Sequence, residues 1–302
     1  MKNKIENQNE YSGTKVVINW YPGHMVKAQN DIKAVIKLID IVVEVLDARI
    51  PLSSKNPIID DLAKDKHKIV VLNKKDLADD IETKKWIEYF QNNYTTCIAV
   101  NSSNPQDIKL IVDTIILKGK EVYNDKIKNL NFNYNPIYRV LIAGIPNVGK
   151  STIINKIANK NSVNVSNKPG VTKKNQWIRV NKNIDLLDTP GLLWPKLDDN
   201  NAGIKLALTG NIKKEILDLE SIACYGIEML LKTDKYKSMF LEKYKINDED
   251  IDSLDSYDIL ELLGRKRGCL ISGGNVDMQK ASNVFLEDLK SGKIGKISLE
   301  NV

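Results

Sequence analysis

The stretch LNKKDL, residues 72–77, follows the apolar run KIVVL and stands ahead of a second motif, AGIPNVGKST, residues 143–152. This second motif matches G-x-x-x-x-G-K-[ST] from Gly144 to Ser151, and it follows a predicted strand and opens a predicted helix. Such a loop wraps phosphate groups with its backbone N–H groups, and the helix N-terminus adds partial positive charge. We therefore expect Lys150 to reach the β- and γ-phosphates of a nucleotide and the Ser151 hydroxyl to bind Mg²⁺.

Two shorter motifs follow the phosphate loop. In LLDTPG, residues 186–191, an apolar strand delivers Asp188 to the Mg²⁺ side, and Gly191 can present its N–H to the γ-phosphate. Between the phosphate loop and LLDTPG lies KPGVTKK, residues 168–174, in which Thr172 is the candidate switch threonine that senses the γ-phosphate and Mg²⁺. Each motif alone is weak, but their order after the phosphate loop indicates a nucleotide triphosphatase.

LNKKDL has the pattern Asn-Lys-x-Asp that recognises guanine. The Asp76 carboxylate can accept hydrogen bonds from the N1–H and the exocyclic amine of guanine, a pair that adenine cannot offer. Asn73 braces the loop, the alkyl stem of Lys74 can cover the face of the base, and AVNSSN, residues 99–104, supplies a further base-contacting loop. The predicted nucleotide-binding residues are Asn73, Lys74, Lys75, Asp76, Asn101, Ser102, Asn147, Val148, Gly149, Lys150, Ser151, Thr152 and Gly191.

The order of the motifs is rotated, with base recognition ahead of the phosphate loop. A sheet tolerates this if the former termini lay close together and a new linker joins them, and the Asn-rich stretch 119–136 predicts that linker. Strands alternating with helices indicate a mainly parallel sheet with helices on both faces. We therefore predict an α/β fold: a circularly permuted P-loop GTPase domain over residues 1–200, with an N-terminal extension and WYPGHM loop over 1–40, followed by a small all-α domain over 201–302.

Composition restricts the class of protein further. The chain has 302 residues, 42% hydrophobic and 28% charged, with a net charge of +6. No run of eighteen apolar residues occurs, and its three cysteines form no C-x-x-C pair, which predicts a cytoplasmic protein without a membrane span. The C-terminal part carries an acidic run at 247–258 and a basic run at 264–268. Arg265, Lys266 and Arg267 are candidates for RNA backbone contact, with an ordinary solvated surface as the alternative.

Several motifs together resemble those of the bacterial circularly permuted GTPases, most closely the ribosome biogenesis GTPase A family. They cover nearly the whole chain and read WYPGHM, VLDARIP, NKKD, GIPNVGKST, KPGVT, DTPGLLWP and ALTGNI. This resemblance implies GTP hydrolysis coupled to late maturation of the 50S ribosomal subunit by a monomeric factor. It also implies partners among ribosomal RNA, ribosomal proteins and 50S precursors, with GTP and GDP as ligands and a C-terminal helical domain that contacts RNA.

Catalysis is expected to involve His24, Lys150 and Thr172. Many GTPases place a water-orienting Gln after D-x-x-G, but this chain has Leu192 there, so another group must position the water. The resemblance implies His24 of WYPGHM for that role, with a structural histidine as the alternative. It also implies that Asn147 coordinates a K⁺ ion, beside Mg²⁺ held by Ser151, Thr172 and Asp188. Asp47 and Arg49 could bear on the switch region or form a structural ion pair.

Two other functions stay open on the sequence. One is a regulatory GTP/GDP-sensing module whose slow hydrolysis only resets it. The other is a related permuted GTPase that acts on the 30S subunit, disfavoured because we find neither an N-terminal oligonucleotide-binding barrel nor a zinc module. The motif order suggests a route from hydrolysis to a partner, since the helical part directly follows the D-x-x-G segment.

Overall fold

The computed structural model describes residues 33–93, 95–127, 136–161, 176–188, 200–212 and 218–302. His24, Thr172, Gly191 and Leu192 lie outside these ranges. Within them, no helix is long and apolar enough to cross a bilayer.

A six-stranded sheet forms the centre of the protein. Its strands are β1 (Ile41–Asp47), β2 (His67–Asn73), β3 (Thr96–Val100), β4 (Tyr138–Ala143), β5 (Gln176–Asn181) and β6 (Ile184–Asp188). The order across the sheet is β3-β2-β1-β4-β6-β5, and all neighbours are parallel except the β5–β6 pair. Every residue of β1 is buried, as expected for a central strand covered on both faces. The predicted mainly parallel α/β fold is confirmed.

The register of β4 establishes the permutation. β4, which precedes the phosphate loop, pairs with β1 from Ile41 opposite Val140 to Glu44 opposite Ala143, although nearly a hundred residues separate them. On its other side β4 pairs with β6, the strand of the D-x-x-G motif. The strand that comes first in an unpermuted domain is thus the fourth strand of this chain, yet it occupies a central position in the sheet.

Nine helices of six or more residues accompany the sheet in the described ranges, in which residues 33–35 are also helical. They are α1 (Pro57–Leu62), α2 (Asp80–Asn92), α3 (Pro105–Ile127), α4 (Lys150–Asn161), α5 (Asn200–Leu208), α6 (Leu219–Leu231), α7 (Asp234–Tyr244), α8 (Ser256–Lys266) and α9 (Met278–Lys290), with short 3-10 turns at Ile36–Leu38 and Asp248–Asp250. Aspartate side chains cap several of these helices by accepting N–H bonds of the first turn, among them Asp79, Asp255 and Asp277. α3 continues to Ile127, so the first part of the predicted linker is helical.

The C-terminal helices form one core with the sheet domain. Phe240 and Phe285 are fully buried and contact each other at a centroid distance of 6.2 Å. After α9 the chain returns to the α/β part, where Ile297 N–H donates to Leu77 O (3.0 Å) and Leu299 N–H donates to Arg49 O (2.9 Å). The Glu300 carboxylate accepts from the Ser53 hydroxyl and from Leu52 N–H. A domain division near residue 200 stays a prediction, because these contacts join the two parts closely.

Two loops at the carboxyl edge of the sheet approach too closely for a side chain between them. Gly149 has φ +105°, and a Cβ there would overlap the side-chain amide nitrogen of Asn73. Gly144, with φ +145°, would in the same way overlap the carbonyl oxygen of Val45. Glycine at both positions lets the phosphate loop close onto β1 and β2.

We predict that Gly149→Ala lowers the free energy of unfolding by about 1–3 kcal/mol, because the added methyl group forces the two loops apart. Gly273→Ala is the matched control, since Gly273 also has positive φ (+90°) but has open space around its Cβ position. Urea unfolding of both variants would separate steric overlap from backbone strain. Equal losses of stability in the two variants would contradict a close loop contact.

Candidate nucleotide-binding site

The loops that follow β1, β2, β3 and β4 meet at one edge of the sheet. In parallel α/β sheets this carboxyl edge is where ligands bind. The predicted base-recognition and phosphate-binding residues lie in three of these loops, over 73–76, 101–104 and 144–150. The fold therefore brings together motifs that are far apart in the sequence.

The phosphate loop has the geometry of an anion cradle. Gly144, Asn147 and Gly149 have positive φ, so the loop turns tightly before α4 begins. Lys150 is buried, and its ammonium donates to the carbonyl of Ile145 across the loop at 2.6 Å. Ser151 and Thr152 lie exposed in the first turn of α4, where backbone N–H groups and the helix dipole favour an anion.

Asn73 connects the three loops. Its amide nitrogen donates to the carbonyl of Val148 in the phosphate loop at 2.7 Å, and its amide oxygen accepts from Ser102 N–H at 3.0 Å. Asn73 is almost fully buried, so both bonds are shielded from water. The Asp76 side chain, three residues on, is exposed at the turn and open to a ligand.

Lys75 lies in the same turn and forms an ion pair that sequence reasoning did not find. Its ammonium contacts the Asp107 carboxylate at 2.8 Å, and that carboxylate also accepts from Asn101 N–H at 2.7 Å. Asp107 thereby links the turn after β2 to the loop after β3. An acidic residue in the first turn of a helix is common, so its position in α3 gave no signal of this contact.

The Lys74 ammonium points to a buried charge. It donates to Asp47 Oδ2 at 2.8 Å, and Arg49 donates to the same carboxylate from Nε (2.9 Å) and Nη2 (2.8 Å). Burial of Asp47 opposes its ionisation, but Arg49 and Lys74 hold the pKa of this carboxyl well below its usual range. Burial lowers the pKa of Lys74, and the nearby Asp47 charge opposes that shift. Of the two roles left open for Asp47 and Arg49, the structure displays the ion pair.

Asn147 contacts the C-terminal part of the protein. Its φ of +61° is in the left-handed region, which asparagine tolerates better than most residues. Its amide nitrogen donates to the carbonyl of Gly210 at 3.3 Å. The phosphate loop is thus hydrogen-bonded to the turn that follows α5.

The metal-ligand candidates present the hard oxygen donors that Mg²⁺ prefers. The Ser151 hydroxyl is exposed beside the phosphate loop, and Asp188 ends β6 opposite Ile142, two residues before Gly144. The residues present therefore fit Mg²⁺. Thr172, the third candidate, lies outside the described residues together with Gly191 and His24.

Arg265 and Lys266 lie in the last turn of α8, and Arg267 is its C-cap residue. All three are exposed. Arg265 contacts Glu261 at 2.6 Å, Lys266 donates to Lys245 O at 3.0 Å, and Arg267 is 3.7 Å from the Asp288 carboxylate.

Comparisons with known proteins place the chain among GTPases. Residues 139–255 match the family model described as 50S ribosome-binding GTPase. The ribosome biogenesis GTPase A of Bacillus cereus is 44% identical over 285 residues, which cover 94% of each chain. The protein of that name from Thermotoga maritima is 33% identical, again over 94% of each chain.

Solved structures agree as well. A GDP-bound structure of YlqF from T. maritima has a TM-score of 0.62 at 30% identity and covers 89% of this chain and 98% of its own. A GNP-bound structure of the same protein has a TM-score of 0.63 and covers 91% and 98%. With the permuted sheet, the phosphate loop and the Asn-Lys-x-Asp turn in place, the chain belongs to the ribosome biogenesis GTPase A family of circularly permuted GTPases.

Proposed function

We propose that this GTPase acts in the cytoplasm as a monomer during late maturation of the 50S ribosomal subunit. It binds rRNA and ribosomal proteins on a 50S precursor and couples GTP hydrolysis to its own release. The observation that carries the proposal is the junction at Asn73, which joins the guanine-type turn and the phosphate loop in one site. The family description as 50S ribosome-binding supports the choice of particle.

In the proposed site each loop has a separate task. Asp76 selects guanine, while Asn101 and Ser102 approach the base from the loop after β3. Lys150 leaves the Ile145 carbonyl to contact the phosphates, and Val148, Gly149, Ser151, Thr152 and Gly191 line their path. Ser151, Thr172 and Asp188 would hold Mg²⁺, which when bound neutralises charge on the phosphate oxygens.

The proposed role of Lys74 is the one expected from the sequence, in which its alkyl stem covers the face of the base. Its ammonium is tied to Asp47, so only its alkyl stem is available to cover the base. Lys75 supports the loop through Asp107.

We predict that Asp76→Asn transfers base preference from guanine to xanthine. The asparagine amide accepts from N1–H and donates to the 2-oxo group of xanthine. In guanine the 2-amino group takes the place of that oxygen, and two N–H donors facing each other form no hydrogen bond. Loss of one charge-assisted hydrogen bond weakens binding by about 1.5–3 kcal/mol, so the affinity for GDP is expected to fall by at least about tenfold. Competition between GDP and XDP for a fluorescent guanine nucleotide measures this change.

Asp80→Asn is the control for that substitution, because Asp80 is exposed in the next helix and forms an ion pair with Lys296. It is expected to leave base preference unchanged. Unaltered preference in Asp76→Asn would refute the role assigned to Asp76.

Water activation needs a group from outside the D-x-x-G segment, where Leu192 cannot polarise water. We propose His24 as that group, on the strength of the motif WYPGHM. For the developing negative charge we propose K⁺ held by Asn147, whose side chain is exposed on the phosphate loop. The K⁺ ion held by Asn147 and the Lys150 ammonium would then supply positive charge where other GTPases use an arginine finger.

Hydrolysis is predicted to be faster in K⁺ than in Na⁺, because the smaller Na⁺ ion would not keep the same contacts to both the Asn147 side chain and the phosphate oxygens. In Asn147→Gly the two rates should become equal. Glycine adopts the positive φ of residue 147 without strain, so the loop is kept while the ligand is lost. Phosphate release in matched K⁺ and Na⁺ buffers is the measurement, and equal rates in the parent protein would rule out the ion.

The RNA-contacting candidates belong to a larger basic surface than the sequence indicated. Lys243, Arg267 and Lys293 converge on Asp288 at 3.7–4.0 Å, and Asp288 is itself buried. Arg265 and Lys266 precede Arg267 in the chain and are exposed, so these five residues form one basic cluster. Clustered cations of this kind neutralise a phosphate backbone without reading sequence. This basic cluster is the proposed rRNA contact.

Large-subunit precursors are predicted to stimulate GTP hydrolysis, and mature 30S subunits are not. In the double variant Lys266→Ala/Lys293→Ala the stimulation should fall. The slope of log affinity for the particle against log salt concentration should also become shallower, by about one unit for each phosphate contact removed. Basal hydrolysis serves as the reference rate in each protein. Lys85→Ala, an exposed lysine on α2, is the control.

The same assay separates the alternatives. No stimulation by any particle favours a free-standing GTP/GDP switch, and stimulation by 30S alone favours action on the small subunit. Full stimulation of the double variant at all salt concentrations would show that the basic cluster does not contact RNA.

A further inference from the structure

We infer that the turn Thr209–Asn211, which follows α5 in the C-terminal part, is a positioning element of the nucleotide site. It acts through Asp47 on the base-recognition turn, which is the Asn-Lys-x-Asp segment 73–76, and through Asn147 on the phosphate loop. The inference rests on the proposal that these two loops bind a guanine nucleotide. None of the sequence motifs for base, phosphate or metal includes this turn.

The first connection is a shared carboxylate. Asp47 Oδ2 accepts from the Lys74 ammonium at 2.8 Å and from the Asn211 amide nitrogen at 3.3 Å. Lys74 belongs to the Asn-Lys-x-Asp turn, and Asn211 lies 164 residues from Asp47 in the sequence. Any change in how Asn211 meets this oxygen therefore alters the charge environment of Lys74.

Arg49 strengthens the same connection. Its guanidinium binds both oxygens of Asp47 and also donates to the carbonyls of Thr209 (3.0 Å) and Lys290 (3.2 Å). A planar guanidinium satisfies four acceptors at once, which a lysine ammonium of similar charge cannot do. Arg49 thereby fixes the turn and the end of α9 against the loop that follows β1.

The second connection reaches the phosphate loop. The Gly210 carbonyl accepts from the Asn147 amide nitrogen at 3.3 Å. The turn itself is held in one conformation, since Asn211 N–H donates to Leu206 O at 2.8 Å and the Asn211 amide donates to the Thr209 hydroxyl at 2.8 Å. Gly210 has φ +74°, and a Cβ there would collide with the stem of Lys290. One rigid turn thus contacts both loops.

Coupling follows from this geometry. A nucleotide that orders both loops fixes the groups on them to which the turn is hydrogen-bonded. Bound nucleotide therefore strengthens docking of the C-terminal part. By thermodynamic reciprocity, a docked turn strengthens nucleotide binding by the same factor. Residues 189–191 of the D-x-x-G segment, the expected hydrolysis-linked segment, lie outside the described residues, and the turn supplies a separate route through described contacts.

A double-mutant cycle on nucleotide affinity tests the inference. The dissociation constant of fluorescent GDP is measured for the parent protein, Asn211→Ala, Lys74→Met and the double variant. We expect each single change to weaken GDP binding by about five- to twentyfold. The double variant should bind clearly more tightly than the product of the two effects predicts, because both changes act through Asp47. Effects that multiply within about twofold would overturn the inference, since independent sites behave in that way.

Two further arms make the outcome decisive. Lys296→Ala removes an exposed ion pair between the C-terminal tail and Asp80 and should leave the affinity for GDP unchanged. Hydrogen exchange should show GDP-induced protection of residues 200–212 in the parent protein and its loss in Asn211→Ala, an effect that a merely structural residue does not produce. If Asn211→Ala does not fold, Arg49→Lys, which keeps the charge, takes its place in the cycle.

Failure of the proposed function gives a different result. A parent protein that does not bind GDP would refute the guanine site itself. A parent protein that binds GDP but shows multiplicative effects and no protection would refute only the role of the turn.

Discussion

The Asn73 side chain is the interaction on which the site depends. A single buried amide uses its donor on the phosphate loop and its acceptor on the loop after β3, so three loops are held at fixed separation. Removing one partner of a buried hydrogen bond leaves the other unsatisfied, at a penalty of about 1–3 kcal/mol. Gly149 is the counterpart of this amide, because only a residue without a side chain allows the approach.

A second constraint is electrostatic. Asp47 is fully buried and ionised, and it is tolerated there because Arg49, Lys74 and Asn211 surround it with donors. Breaking such a buried pair by removing one member costs about 3–5 kcal/mol, whereas the intact pair adds little net stability. The cluster therefore contributes a defined arrangement of the base-recognition turn and the C-terminal part more than it contributes to folding energy.

The sequence predicted those features whose chemistry dictates residue type and spacing. Phosphate binding demands glycines at fixed positions and a lysine at the helix start, so GIPNVGKS was recognisable, and the alternating strands and helices indicated the parallel sheet. Side-chain partners set by tertiary packing were less accessible. Asp47 and Arg49 could be named as candidates, but the sequence did not decide between their two possible roles. Asp107 gave no signal of its ion pair with Lys75. Lys243 and Lys293 join the basic residues of α8 only through folding, because they come from other elements. The return of residues 297–300 to the sheet was not predicted, since KISLE has no pattern that identifies a partner.

The central pairing of β1 with β4 also determines when the protein can become competent during synthesis. A nascent chain that has emerged only as far as β3 has its base-recognition turn but no phosphate loop, and the edge of β1 that later pairs with β4 is still open. β4 closes that edge, and the final contacts await Glu300, which lies 247 residues after its partner Ser53. Contacts over such separations form slowly, because the intervening chain must first give up its freedom. Permutation thus leaves the base-recognition turn without a phosphate loop until synthesis has passed residue 151.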